Sequence, residues 1–243
     1  MRAMSLLSAA LILSWAAPAA PQQWIEFAST DDRFTLNFPH QPQIETTTYT
    51  SEFGAVLPAR VYRAEDGPRR YALTVVDYRP LERILTEKAE ACPPGAETCS
   101  GTLATSGRGQ WRIDLRGALV YASWQFMQRD AKVTSYIWAF IDLVEGHRLQ
   151  MTNNADQSRT FASVHMHENK LYILEATAPR GLHGQEQFQQ SLGWLDENGI
   201  ALRYLDVYSN ADIFLSGHPP PGRVNRAGTD ANSGQGRIDA PRQ

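Results

Sequence analysis

The chain is poor in the features that most directly announce a function. Two cysteines in 243 residues leave room for one disulfide at most. Beyond the first 20 positions no stretch approaches the roughly 20 consecutive apolar residues of a transmembrane helix. Neither sign of charge dominates: 23 basic residues face 26 acidic ones. That balance argues against a nucleic-acid or anionic-membrane partner, because both depend on a dense positive field. Gly-x-Ser-x-Gly, Ser-x-x-Lys, His-Glu-x-x-His, a phosphate-binding glycine loop and a calcium loop are all missing. Triads assemble from distant positions, so an enzyme is not excluded, but no catalytic residue and no cofactor is indicated. Internal repeats are missing too.

What is present begins with an export signal. Arg2 supplies a positive start, and Leu6 to Ala16 is apolar but too short to span a bilayer. Ala17-Pro18-Ala19 then gives the small-x-small pattern of a signal-peptidase site, so cleavage is expected after Ala19. With Arg2 removed, 22 basic residues remain against the same 26 acidic ones. The mature chain of about 220 residues is long enough for one domain with a sizeable core. The expected organisation is a signal over 1–19, a single domain over 20–216 and a disordered tail over 217–243. The tail begins where Gly217-His218-Pro219-Pro220-Pro221-Gly222 leads into a sequence with almost no apolar residue. A periplasmic or secreted location follows from the signal.

Cys92 and Cys99 flank a Pro/Gly-containing loop. In an oxidising compartment the pair reads as a disulfide; the spacing is not Cys-x-x-Cys, and nothing nearby would stabilise a thiolate.

Along the domain, Phe34, Leu36 and Phe38 alternate with polar residues and end at Pro39, which is the period of a half-buried strand. Arg60 to Ala64 and Tyr71 to Tyr78 predict a hairpin around Gly67-Pro68, and Pro80 opens a helix carrying Leu81, Ile84 and Leu85 on one face. Trp111 to Leu115, Ala118 to Gln128, Val133 to Leu143 and Arg148 to Thr152 read as four strands of an antiparallel meander, broken at Gly117, Arg129-Asp130 and Glu145-Gly146. Phe161 to His167 and Lys170 to Ala176 predict a second hairpin, turning at Glu168-Asn169. A helix is expected over 185–198 with Phe188, Leu192 and Leu195 on one face, then a last strand over 200–208. The expected class is α+β: an antiparallel sheet of about seven or more strands with helices packed on it.

Three groups of residues bear on function. His165 and His167 lie two apart on a strand and so share one face, a geometry that can hold a metal. His147, His183 and Glu168 are third ligands by residue type only, and the plainer reading puts both histidines on the wet face of a hairpin whose other face carries Val164 and Met166. Tyr136, Trp138 and Phe140, with Val120, Trp124 and Phe126 before them, form aromatic stripes. Such stripes serve as a floor under helices or as a platform for a sugar or lipid. The acidic pairs Asp31-Asp32, Glu65-Asp66 and Asp196-Glu197 stand beside turn residues, where carboxylates are solvated.

The opening Trp24...Phe27...Ser29...Asp32-Arg33-Phe34-Thr35-Leu36-Asn37-Phe38-Pro39...Pro42 resembles the start of many small exported bacterial proteins with the fold shared by Mog1 and the PsbP proteins. Asn153-Asn154-Ala155-Asp156, His167 to Ala176 and Phe188 to Leu192 are similar to an uncharacterised alphaproteobacterial family. The resemblance implies an antiparallel sheet with helices across it, and a binding or assembly role without a catalytic site. Residues and resemblance together lead to the expectation of an exported, non-enzymatic binding or assembly protein with a protein or small-molecule partner. A metal protein using His165 and His167, and a carbohydrate or lipid binder using the aromatic face, are the alternatives.

Overall fold

The computed structural model describes residues 24–91, 109–182 and 186–225. The signal expected over 1–19, Cys92 and Cys99, His183 and positions 226–243 lie outside the described residues.

Two antiparallel sheets and a helical layer form the domain. The larger sheet contains β3 (Gln43–Thr50), β4 (Val56–Asp66), β5 (Arg69–Asp77), β6 (Ala131–Ile141), β7 (Val144–Asn153), β8 (Arg159–His167) and β9 (Lys170–Ala178), in the order β3-β4-β5-β9-β8-β7-β6. The smaller sheet contains β1 (Ile25–Ser29), β2 (Phe34–Phe38), β10 (Gly193–Leu195), β11 (Ala201–Tyr204) and β12 (Arg223–Asn225), in the order β1-β2-β10-β11-β12. The helices are α1 (Leu81–Glu90), α2 (Gln110–Met127), α3 (Glu186–Gln190) and α4 (Asn210–Ser216).

Turn chemistry sets the hairpins. Gly67 takes φ +56° at the first position of the β4–β5 turn, which the twist of the flanking strands favours. Glu168 and Asn169 both take positive φ in the two-residue β8–β9 turn, and Asp142 and Leu143 do the same between β6 and β7. The β6–β7 turn therefore falls at 142–143. Gly146, expected in that turn, lies inside β7 opposite His165.

Because successive strand residues face opposite ways, the larger sheet is lined on both sides. One face meets the smaller sheet through Tyr71, Leu73, Tyr172 and Leu174 against Phe34, Phe38, Trp194 and Tyr204. The other carries Leu57, Val76, Leu149, Val164, Met166 and Leu171 under Leu81 and Leu85 of α1 and Leu115, Ala118, Ala122 and Phe126 of α2. The α+β class and the antiparallel sheet are as expected, with a second sheet added.

Several expectations are corrected. The stretch 110–127 is one helix, not two strands with a turn at Gly117. Ile113, Val120 and Trp124 stay exposed on its outer side while Leu115, Ala118 and Phe126 are buried, so apolar residues surround the helix and blur its period. The predicted 185–198 helix ends at Gln190, and Gly193 to Leu195 becomes β10. Gly193 approaches β2 so closely that a Cβ would come 2.6 Å from Thr35 Oγ1. The strand expected over 200–208 is only Ala201–Tyr204. Arg223–Asn225, assigned to the tail, pairs with β11. β3 carries no strict alternation and has no counterpart in the sequence reading, because it is an edge strand with most positions exposed.

Candidate binding surface

His165 and His167 are not on a wet face. Both are completely buried, because the smaller sheet covers the side of β8 opposite Val164 and Met166. Their rings flank Trp194, with centroids 6.2 and 4.7 Å from it, and Trp194 Nε1 donates to the Ile141 carbonyl at 3.0 Å. His167 Nε2 lies 2.6 Å from the Tyr204 hydroxyl, and His165 Nδ1 lies 3.3 Å from the Glu145 carbonyl oxygen. His167 Nδ1 and His165 Nε2 have no partner. Burial lowers the two imidazoles to about 3 and about 4 respectively, so both are neutral at pH 7. Among the described residues no group of three His, Cys, Asp or Glu side chains gathers in a way that would hold a metal ion. Of the proposed third ligands, Glu168 is engaged by Arg33 and Arg223, while His147 lies on the helix side of the sheet, against α2.

His147 Nδ1 lies 2.8 Å from Ser123 Oγ on α2 and 3.0 Å from the Tyr136 hydroxyl on β6. A serine beside a histidine has the outline of a nucleophile and base. Ser123, however, is buried beneath α2 and also donates to the Leu119 carbonyl at 2.8 Å. The contact ties α2, β7 and β6 together, and sequence spacing gave no signal of it.

The aromatic stripe is not the floor under the helices. On the outermost strand of the larger sheet, Tyr136, Trp138 and Phe140 are 44, 65 and 47% exposed, and Ile137 on the opposite face is 49% exposed. The rings of Trp138 and Phe140 stack, with centroids 6.1 Å and planes 20° apart. The helices pack instead on the aliphatic centre of the sheet, so β6 extends beyond their cover. Trp124 and Val120 likewise point outward, and of that stripe only Phe126 enters the core.

Asp31-Asp32 is the one acidic pair with a buried member. Asp32 receives Lys170 Nζ at 2.8 Å, the Arg60 Nε at 2.8 Å and the Tyr62 hydroxyl at 2.6 Å, and the Tyr172 hydroxyl donates to its backbone carbonyl at 2.8 Å. Burial opposes its ionisation, but Lys170, Tyr62 and Arg60 together hold the carboxyl below its ordinary value. With its oxygens occupied, Asp32 clamps the β1–β2 turn onto the larger sheet.

No protein-family model matches the chain, and no curated protein is similar to it. Among solved structures it is similar to the solution structure of cyanobacterial PsbP (CyanoP) from Synechocystis sp. PCC 6803, with 12% identity and a TM-score of 0.40 over 75% of this chain and 98% of that one. Among the described residues no helix is long and apolar enough to cross a membrane.

Proposed function

We propose that the chain is an exported, non-enzymatic binding or assembly protein whose working surface is the free edge of β6. The carrying observation is the exposure of Tyr136, Ile137, Trp138 and Phe140 on an outermost strand of 11 residues. An outer strand offers unpaired N–H and C=O groups to any extended chain, and natural edges are guarded by charges, proline or short length. β6 has Lys132 as its single charge and no proline. The opposite edge, β3, presents Gln43, Glu45 and a run of threonines.

The partner that fits is an extended polypeptide segment with apolar side chains at alternate positions, added as a further strand. Burying the exposed part of three aromatic side chains of 150–250 Å² each removes about 300 Å² from water, or roughly 7 kcal/mol before ordering costs. Export by the 1–19 segment and a Cys92–Cys99 bridge belong to the same reading, as does one domain beginning at Ala20. The exposed, near-parallel Trp138 and Phe140 rings support a second reading, a platform for a carbohydrate or lipid.

Tagged protein extracted gently from its own cells tests the proposal by the size of the complex it enters. Wild type is expected in a complex larger than the monomer, and Trp138→Ser with Phe140→Ser as a free monomer of unchanged melting temperature. A wild-type monomer, or a complex indifferent to both substitutions, would overturn it. Release of wild type from the complex by glycosidase or detergent alone would favour the platform reading.

A further inference from the structure

A cleft of about 480 Å³ opens beside the β8–β9 turn, between Arg33, Arg223, Tyr204, Ile213, Phe214 and Pro221. Its size falls within the range of small-ligand sites. Glu168 stands in it and is shared: Arg33 Nη1 donates to one carboxylate oxygen, and Arg223 Nη1 lies 3.4 Å from the other. Two guanidiniums from different elements, the β1–β2 turn and β12, thus face one carboxylate. Arg79 also lines the cleft, but Asp77 binds it through both oxygens, at 2.8 and 2.6 Å.

One positive charge is therefore left over. After burial, Arg33 and Arg223 are what disfavour a proton on His167 beneath the cleft. The rest of the lining is largely apolar. Phe214 is 44% exposed, and Ile213 and Pro221 stand with it. The Tyr208 hydroxyl is already committed, accepting from the Glu168 N–H at 2.9 Å.

We infer that this cleft binds a small amphipathic anion, a carboxylate on an apolar body, with its head on Arg33 and Arg223 and its body against Ile213, Phe214 and Pro221. Guanidinium forks suit a planar carboxylate, and each charge-assisted contact in a partly desolvated cleft is stronger than a neutral one. The apolar wall supplies the remaining affinity and excludes a strongly hydrated ion.

Isothermal titration of the full chain with dodecanoate below its micelle concentration tests this, with acetate and dodecanol as head-only and tail-only probes. Saturable one-to-one binding of dodecanoate is expected, with both controls at least tenfold weaker. Arg223→Gln is expected to weaken binding tenfold or more at unchanged melting temperature, a factor consistent with one lost charged hydrogen bond. Because Arg223 also touches Glu168, Phe214→Ala serves as a second variant that removes only wall, and a severalfold loss is expected. No saturable heat, equal binding of dodecanol, or indifference to both substitutions would overturn the inference.

Discussion

Gly146 on β7 stands directly across from His165 on β8, so close that a Cβ on Gly146 would lie 2.2 Å from the imidazole Nδ1 and 2.3 Å from the Val164 carbonyl oxygen. The buried histidine occupies space that only the absence of a side chain provides. Gly146→Ala is therefore expected to destabilise the domain by roughly 3 kcal/mol, the upper end of the range for overpacking a core. Urea denaturation measures it. A loss below 1 kcal/mol would show that the two strands separate more easily than their packing indicates.

The neutral histidines make stability sensitive to acid. Their folded values are depressed to about 4 and about 3 from 6.5. The unfolded chain thus takes up protons first as pH falls, and stability is complete above about 6.5. Between there and about 4 it falls by up to about 1.4 kcal/mol per pH unit for each histidine. Asp32, depressed below 3.8, adds its loss only at lower pH. His147, also lowered by burial, acts with the same sign as the other two. Denaturation at a series of pH values should give a slope in this window that His167→Gln reduces. An identical slope in the variant would mean that His167 does not carry the effect.

Lys170 and Asp32 form an ion pair with both side chains only 4% exposed. Removing the lysine leaves the buried carboxylate to Arg60 and Tyr62, and Lys170→Met is expected to cost about 3 kcal/mol, the lower end for a broken buried pair. Replacing both, with Asp32→Asn beside Lys170→Met, should cost less than the two single changes added together. Strict additivity in a double-mutant cycle would show that the residues act independently.

Zinc tests the metal reading of His165 and His167. With both rings packed on Trp194 and no third donor among the described residues, equilibrium dialysis should give no stoichiometric zinc. One zinc per chain that disappears in both His165→Ala and His167→Ala would contradict this.

Where local chemistry decides the structure, the sequence was legible. The Glu168-Asn169 and Gly67-Pro68 turns, the alternation of Phe34, Leu36 and Phe38, and the α1 face of Leu81 and Leu85 all appear as read. What failed depended on the third dimension. A strand with a polar and an apolar face looks half-wet, yet β8 is covered on both sides, which turns its histidines into core. In α2 the outward Val120 and Trp124 obscure the helical period, so the sequence pattern there matches strands. For the aromatics of β6, floor and platform stay open in the sequence, because nothing in their spacing tells that the helices stop short of that edge. The Arg33–Glu168–Arg223 cluster joins residues far apart in the chain, and no local pattern marks it.

The free edge of β6 is tested most directly by placing a photocrosslinking amino acid at position 138, at position 136, or at position 48 on the opposite edge, in the cells that make the protein. One adduct of the same mass from 136 and 138, and none from 48, is the predicted result. No adduct at 136 and 138, or an equal adduct from 48, would contradict it.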